Sequence, residues 1–130
     1  MKPQQPSKQL LIVEDDIALG SALSEKFTHE GFLVSRAKDG VEGLAKSKKT
    51  HPDLILLDIL LPKMDGISMM KKLRKDAWGK RVPIVLLTNL SFDDERMRDV
   101  VEYQPAFYLV KSEWRLEDIV KKVKECLGLR

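Results

Sequence analysis

A chain of 130 residues, 43% hydrophobic and 33% charged, has the size and make-up of a single domain with a real core, and leaves little room for a second one. No apolar run approaches the roughly 18 residues of a membrane span, and Met1–Gln9 lacks the apolar centre of a signal peptide, so no membrane contact and a cytoplasmic location are expected. The formal net charge of +3 comes from 23 basic residues interleaved with 20 acids, which reads as a solvated surface rather than a nucleic-acid face.

Residues 1–8 form a polar tail, and the folded domain is expected over 9–130. Leu10 to Val13 is a short buried strand that runs into three acids, Glu14, Asp15 and Asp16. Leu19, Leu23 and Phe27 recur every fourth residue and predict a helix from Ile17 to about Glu30. A second strand is expected over Phe32–Ala37, after which Asp39-Gly40 with Glu42 opens a helix that turns Val41, Leu44 and Ala45 inward. His51-Pro52 breaks it. Leu54 to Leu57 is apolar without alternation, as a strand buried on both faces must be, and Asp58 follows directly. Asp65-Gly66 starts a helix through Ile67, Met70 and Leu73 that Trp78-Gly79 closes. Pro83–Thr88 is a fourth buried strand, and Ser91 with Asp94 predicts a helix through about Tyr103. Ala106–Val110 is the fifth strand, ending at Lys111, and Leu116, Ile119, Val120, Val123 and Leu127 mark a last helix. Cys126 lies in that apolar stripe; as the lone cysteine it forms no internal disulfide and is expected to be buried. His29 and His51 have no partner ligands at metal spacing and read as surface residues.

Strands alternating with helices across short connections call for parallel strands and right-handed crossovers. The expected fold class is α/β: a flavodoxin-like (βα)5 three-layer sandwich with strand order 2-1-3-4-5. In such a sheet Glu14-Asp15-Asp16, Asp58, Thr88 and Lys111 all fall along one edge, because each follows or ends an apolar run. Like carboxylates about 4 Å apart repel by on the order of 4 kcal/mol per pair at an effective dielectric near 20. Lys111 alone cannot balance Glu14, Asp15 and Asp58. A divalent ion with oxygen ligands can, and Mg²⁺ suits a site that takes one or two carboxylates and keeps waters for phosphate oxygens. Such a site is suited to phosphoryl transfer onto the free carboxylate, with Asp58 the central candidate.

At the motifs IVEDD, ILLDILLPKMDG, VPIVLLTN and FYLVKS the sequence resembles the receiver domain of two-component response regulators, over about Gln9 to Leu129. The resemblance implies a signalling switch, not an enzyme in the ordinary sense, that accepts a phosphoryl group on Asp58 from a histidine kinase or phosphotransfer protein. It implies Asp15 as the direct Mg²⁺ carboxylate, Glu14 acting through water, and the backbone carbonyl of Leu60 completing the metal site. Thr88 and Lys111 would contact phosphoryl oxygens. Tyr108 matches the aromatic switch position, and the signal would reach a downstream effector protein through the fourth helix, fifth strand and fifth helix. Dimerisation on phosphorylation is compatible with this, though no residue pair in the sequence decides it.

The sequence departs from that pattern in three places. Ser112 follows Lys111 where the family usually has proline on a cis bond; a non-proline cis bond costs about 3 kcal/mol, which favours a trans peptide and a different aim for Lys111. Asn89 stands where a small residue is usual and narrows the way in for the phosphodonor. Gln104-Pro105 replaces a Gly-Ala pair. The departures at Asn89 and Ser112 give some weight to a phosphorylation-independent, receiver-like adaptor that binds partner proteins. Asp16 is expected to cap or lie on the surface, with a lesser claim on the metal. A phosphate-ester hydrolase of the haloacid dehalogenase type is disfavoured, since its general acid would fall at Leu60.

Overall fold

Continuous apolar runs become the central strands of a sheet, buried on both faces, while its two edge strands are only half-buried. Five strands, β1 (Gln9–Val13), β2 (Leu33–Ala37), β3 (Leu54–Leu57), β4 (Ile84–Thr88) and β5 (Phe107–Val110), pair in parallel in the order β2-β1-β3-β4-β5. The computed structural model describes residues 7–129. Most of the expected polar tail therefore lies outside the described residues, but Lys8 already lends its carbonyl to Leu33 N–H at 2.9 Å.

Among the described residues, four α-helices complete the layers: α1 (Ile17–His29), α2 (Gly40–Thr50), α3 (Gly66–Leu73) and α4 (Leu116–Cys126). Alternation along the strands divides the core in two. Leu10, Ile12, Leu54, Leu56 and Leu109 face Leu23 and Phe27 of α1 and Ile119, Val120 and Val123 of α4. On the other side Leu11, Val13, Ile55, Leu57 and Leu86 meet Met69, Met70 and Leu73 of α3. The expected flavodoxin-like sandwich is what the chain forms. Cys126 is half-buried against the α1/α4 core rather than fully buried.

α2 packs differently from its sequence pattern. Val41 is 49% exposed, Ala45 is exposed and Leu44 half-buried, while Gly40, Gly43 and Ser47 face inward. The helix lies so close to the sheet that a Cβ on Gly43 would come within 2.9 Å of both Val13 Cγ1 and Met69 Sδ. Small residues permit the approach, and apolar periodicity does not register them. Gly43→Val should therefore overpack this contact and lower stability by about 1–3 kcal/mol, read as a fall in Tm.

The crossover from β4 to β5, expected as a helix from Ser91 to about Tyr103, is helical but in two 3-10 turns, Glu95–Met97 and Val100–Tyr103. The Asp94 carboxylate accepts from the Arg96 backbone N–H at 2.9 Å and grips its guanidinium at 3.0 and 2.8 Å. Local side-chain bonding of this kind competes with a continuing α-helix, and Asp99 with β-branched Val100 and Val101 add little to resist it. α3 likewise stops at Leu73, short of the expected Trp78-Gly79, and turns lead on to β4.

Arg74, just past α3, holds those turns. Its Nε donates to Tyr103 O at 2.7 Å, one terminal nitrogen donates to Gly79 O and Val82 O at 2.7 and 2.8 Å, and the other reaches Gln104 O at 3.2 Å. No carboxylate pairs with it among the described residues, and burial lowers its pKa. Arg74→Gln should cost about 2–4 kcal/mol, since charge-assisted bonds to several carbonyls are lost together, and Arg74→Lys should not rescue it because one ammonium cannot span three separate segments. Denaturant midpoints of the two variants check this.

Candidate functional site

The carboxyl ends of β1, β3, β4 and β5 lie side by side, and the residues just beyond them form the site. Glu14 continues β1 by one residue, its N–H donating to Ala37 O at 3.0 Å, and Asp58 continues β3, donating to Val13 O at 3.0 Å. Glu14 and Asp58 are thereby carried inside as the sheet ends; they are 6% and 3% exposed. Asp15, next along the loop, is exposed. One carboxylate oxygen from each of Glu14, Asp15 and Asp58 lies within 4.8 Å of the others.

Lys111 leaves the end of β5 and reaches both buried acids: its Nζ donates to Asp58 Oδ2 at 2.7 Å and pairs with Glu14 Oε1 at 2.5 Å. The Lys111–Ser112 peptide is trans, and Lys111–Glu113 forms a single 3-10 turn. One ammonium for two buried carboxylates leaves a surplus of negative charge. Desolvation, reinforced by the Asp58 charge, pushes Glu14 up to about 7 against the pull of Lys111, while the two carboxylates raise the pKa of Lys111. Three hard oxygen donors with excess negative charge are what a small divalent cation takes, so the residues fit a Mg²⁺-type ion.

The loop after β3 is tightly shaped. Asp58 Oδ1 accepts from Leu60 N–H at 3.1 Å and Ile59 O from Gly66 N–H at 2.9 Å. A Cβ on Gly66 would sit 2.3 Å from Asp58 O, so the start of α3, capped by Asp65, is pressed against the acid's own backbone. Asp16 stands apart from the acidic trio: its carboxylate caps α1, accepting from Leu19 N–H at 3.1 Å.

Thr88 ends β4 fully buried, and its Oγ1 accepts from Leu90 N–H at 3.3 Å. In the sheet register it pairs with Val110, the residue before Lys111. Asn89 is exposed beside it. Tyr108, half-buried on β5, donates its hydroxyl to Leu90 O, and the exposed Phe92 ring meets it edge-on at 6.1 Å. The backbone of Leu90 is thus tied at its N–H to Thr88 and at its carbonyl to Tyr108. Sequence reasoning named neither Leu90 nor Phe92, because the first acts through its peptide and the second lies in a loop with no periodicity.

The profile of the response regulator receiver domain matches residues 10–124 of the chain. The transcriptional regulatory protein PrrA of Mycobacterium leprae is 37% identical over 95% of this chain and 52% of its own length. The receiver domain protein (CheY-like) of Methanospirillum hungatei superposes with a TM-score of 0.85 at 29% identity, covering 95% of each chain. The CheX–CheY–BeF3–Mg²⁺ complex of Borrelia burgdorferi gives 0.79 at 26%, covering 91% of this chain and 87% of that one. The chain spans about half or less of the length of the curated relatives it matches.

Proposed function

Because this chain belongs to the response regulator receiver domain family, we propose that it is a phosphorylation-controlled signalling switch, with Asp58 the acceptor of a phosphoryl group from a histidine kinase or phosphotransfer protein. The receiver occupies residues 9–130. The observation that carries this reading is the meeting of Glu14, Asp15 and Asp58 with Lys111 at one sheet edge, where a surplus of buried negative charge calls for a divalent cation.

Asp15, Glu14, Asp58 and the carbonyl of Leu60 would hold Mg²⁺, which, when bound, neutralises charge on the phosphoryl oxygens. The chain's own groups do the rest. A carboxylate oxygen of Asp58 attacks phosphorus, the bond from phosphorus to the donor nitrogen breaks, and the leaving imidazole takes a proton from solvent. Lys111 stays beside the new acyl phosphate as a cation, and the Thr88 hydroxyl, free to rotate, gives it a hydrogen bond. A group carrying roughly −2 charge draws both inward. Since Leu90 is tied to Thr88 and Tyr108, movement of the threonine is felt at the Tyr108 ring. From there the change reaches an effector through the 3-10 crossover, β5 and α4. Moving such a switch from about 1% to 99% active takes roughly 5.5 kcal/mol of differential stabilisation, within reach of a few charge-assisted bonds.

The adaptor reading rests on Asn89 and Ser112, yet Asn89 points to solvent and the trans peptide still delivers Lys111 to Asp58. Beryllofluoride, an acyl-phosphate mimic, should bind the wild-type protein only with Mg²⁺, shifting the NMR signals of Thr88, Leu90 and Tyr108. A folded protein that binds none of it overturns the switch and leaves the adaptor.

A further inference from the structure

The end of the domain opposite the acidic site gathers charge of the other sign. Lys48 and Lys49 close α2, Lys71 and Lys72 lie on the last turn of α3, and Lys75, Lys80 and Arg81 follow in the turns that lead to β4. All seven are exposed, and none enters an ion pair among the described residues. The two segments are held together: Gly43 of α2 packs on Met69 of α3, and the His51 ring at the α2 C-cap stacks on Trp78 at 4.4 Å and 11°. Of the acids within residues 48–53 and 71–81, Asp53 accepts from Gln9 N–H and Asp76 from Trp78 N–H. Cations at a helix C-terminus complement its dipole, which accounts for the four on α2 and α3. It does not account for the three beyond α3, and the fold brings all of them to one end although the sequence spaces them over 34 positions.

We propose that this α2–α3 basic end is a sequence-independent docking surface for the phosphate backbone of duplex nucleic acid. Charge complementarity selects a polyanion, and the composition of the patch selects among polyanions. Six of the seven cations are lysines, point charges suited to phosphates rather than to bidentate base readout. The aromatic pair in the patch, His51 and Trp78, is spent on mutual stacking, so no free ring is offered to splayed single-stranded bases. Of the exposed large apolar side chains, Ile17, Phe92 and Val101 lie on other segments and Val41 sits on the first turn of α2, at the far end of that helix from Lys48 and Lys49, which leaves the patch without an apolar wedge for a lipid surface or an apolar centre for a protein interface.

The test is fluorescence anisotropy of the full chain with a labelled random-sequence DNA duplex at rising salt. With four to six phosphates engaged, affinity should fall about 10²–10³-fold between 50 and 200 mM salt. Lys71→Glu/Lys72→Glu/Lys75→Glu, at exposed positions, should abolish binding while the protein stays folded, with only the small fall in melting temperature that acids at the C-terminus of α3 bring. The control Lys26→Glu/Lys38→Glu/Lys121→Glu has the same net charge and should retain binding within a few-fold. Equal loss in both variants would mean that net charge alone is responsible, and would overturn the proposal. So would binding to anionic vesicles or to an acidic peptide in preference to the duplex, or no binding at 50 mM salt.

Discussion

Asp58→Asn should abolish phosphoryl incorporation altogether. Wild-type protein incubated with a small acyl phosphate and Mg²⁺ should gain the mass of a single phosphoryl group, and the variant should gain none. The amide cannot act as the nucleophile and withdraws one of the three carboxylates that meet at the site. It keeps the shape of the side chain and can still accept from Leu60 N–H, so the fold is retained. Removing one of two acids that share Lys111 should raise the melting temperature of the metal-free protein, because the repulsion from Glu14 goes with it. The paired readout separates a lost acceptor from a lost fold. Label on Asp15 or elsewhere in the variant would show that the acceptor had been misassigned.

Lys111→Met is expected to be the most destabilising change at the site, and its cost should depend on pH. Taking the cation from two buried carboxylates leaves uncompensated charge, a loss of about 3–5 kcal/mol where both acids are ionised, or roughly 10–15 °C in melting temperature for a domain of this size. Glu14 sets the pH window. Its pKa in the folded protein, about 7, lies above the ordinary 4.5, so folding favours its neutral form; that contribution is fully present below about 4.5 and is lost as the pH rises through 7. The raised pKa of Lys111 works only above its ordinary 10.5, and the lowered pKa values of Glu30, Asp39 and Asp94 act only in acid, so neither intrudes. Metal-free wild type should therefore lose stability between pH 5 and pH 8, and Glu14→Gln should remove that slope. Lys111→Met should be mildly affected at pH 5.5, where a proton on Glu14 can bridge to Asp58, and severely at pH 8. Millimolar Mg²⁺ should restore it at pH 8. Thermal melts across that range decide the matter, and a Lys111→Met protein that melts like wild type at pH 8 without metal would show that the ion pair carries no such weight.

The linear order of residues was enough for the strand order and for the acids and lysine at one edge. Both follow from local rules: a strand buried on two faces needs an unbroken apolar run, parallel strands put their carboxyl ends together, and a polar residue directly after such a run has nowhere else to go. Tertiary structure alone decided three other matters. Close approach of α2 to the sheet turned Gly43 and Ser47 inward in place of Val41 and Ala45, because helix-to-sheet distance is set by the partner surface and not by the helix's own periodicity. The tie from Thr88 through Leu90 to Tyr108 runs through backbone groups, which every residue carries and which no sequence pattern can single out. And lysines that look scattered along the chain come to one end, since charge adds up in space while the sequence records only its order.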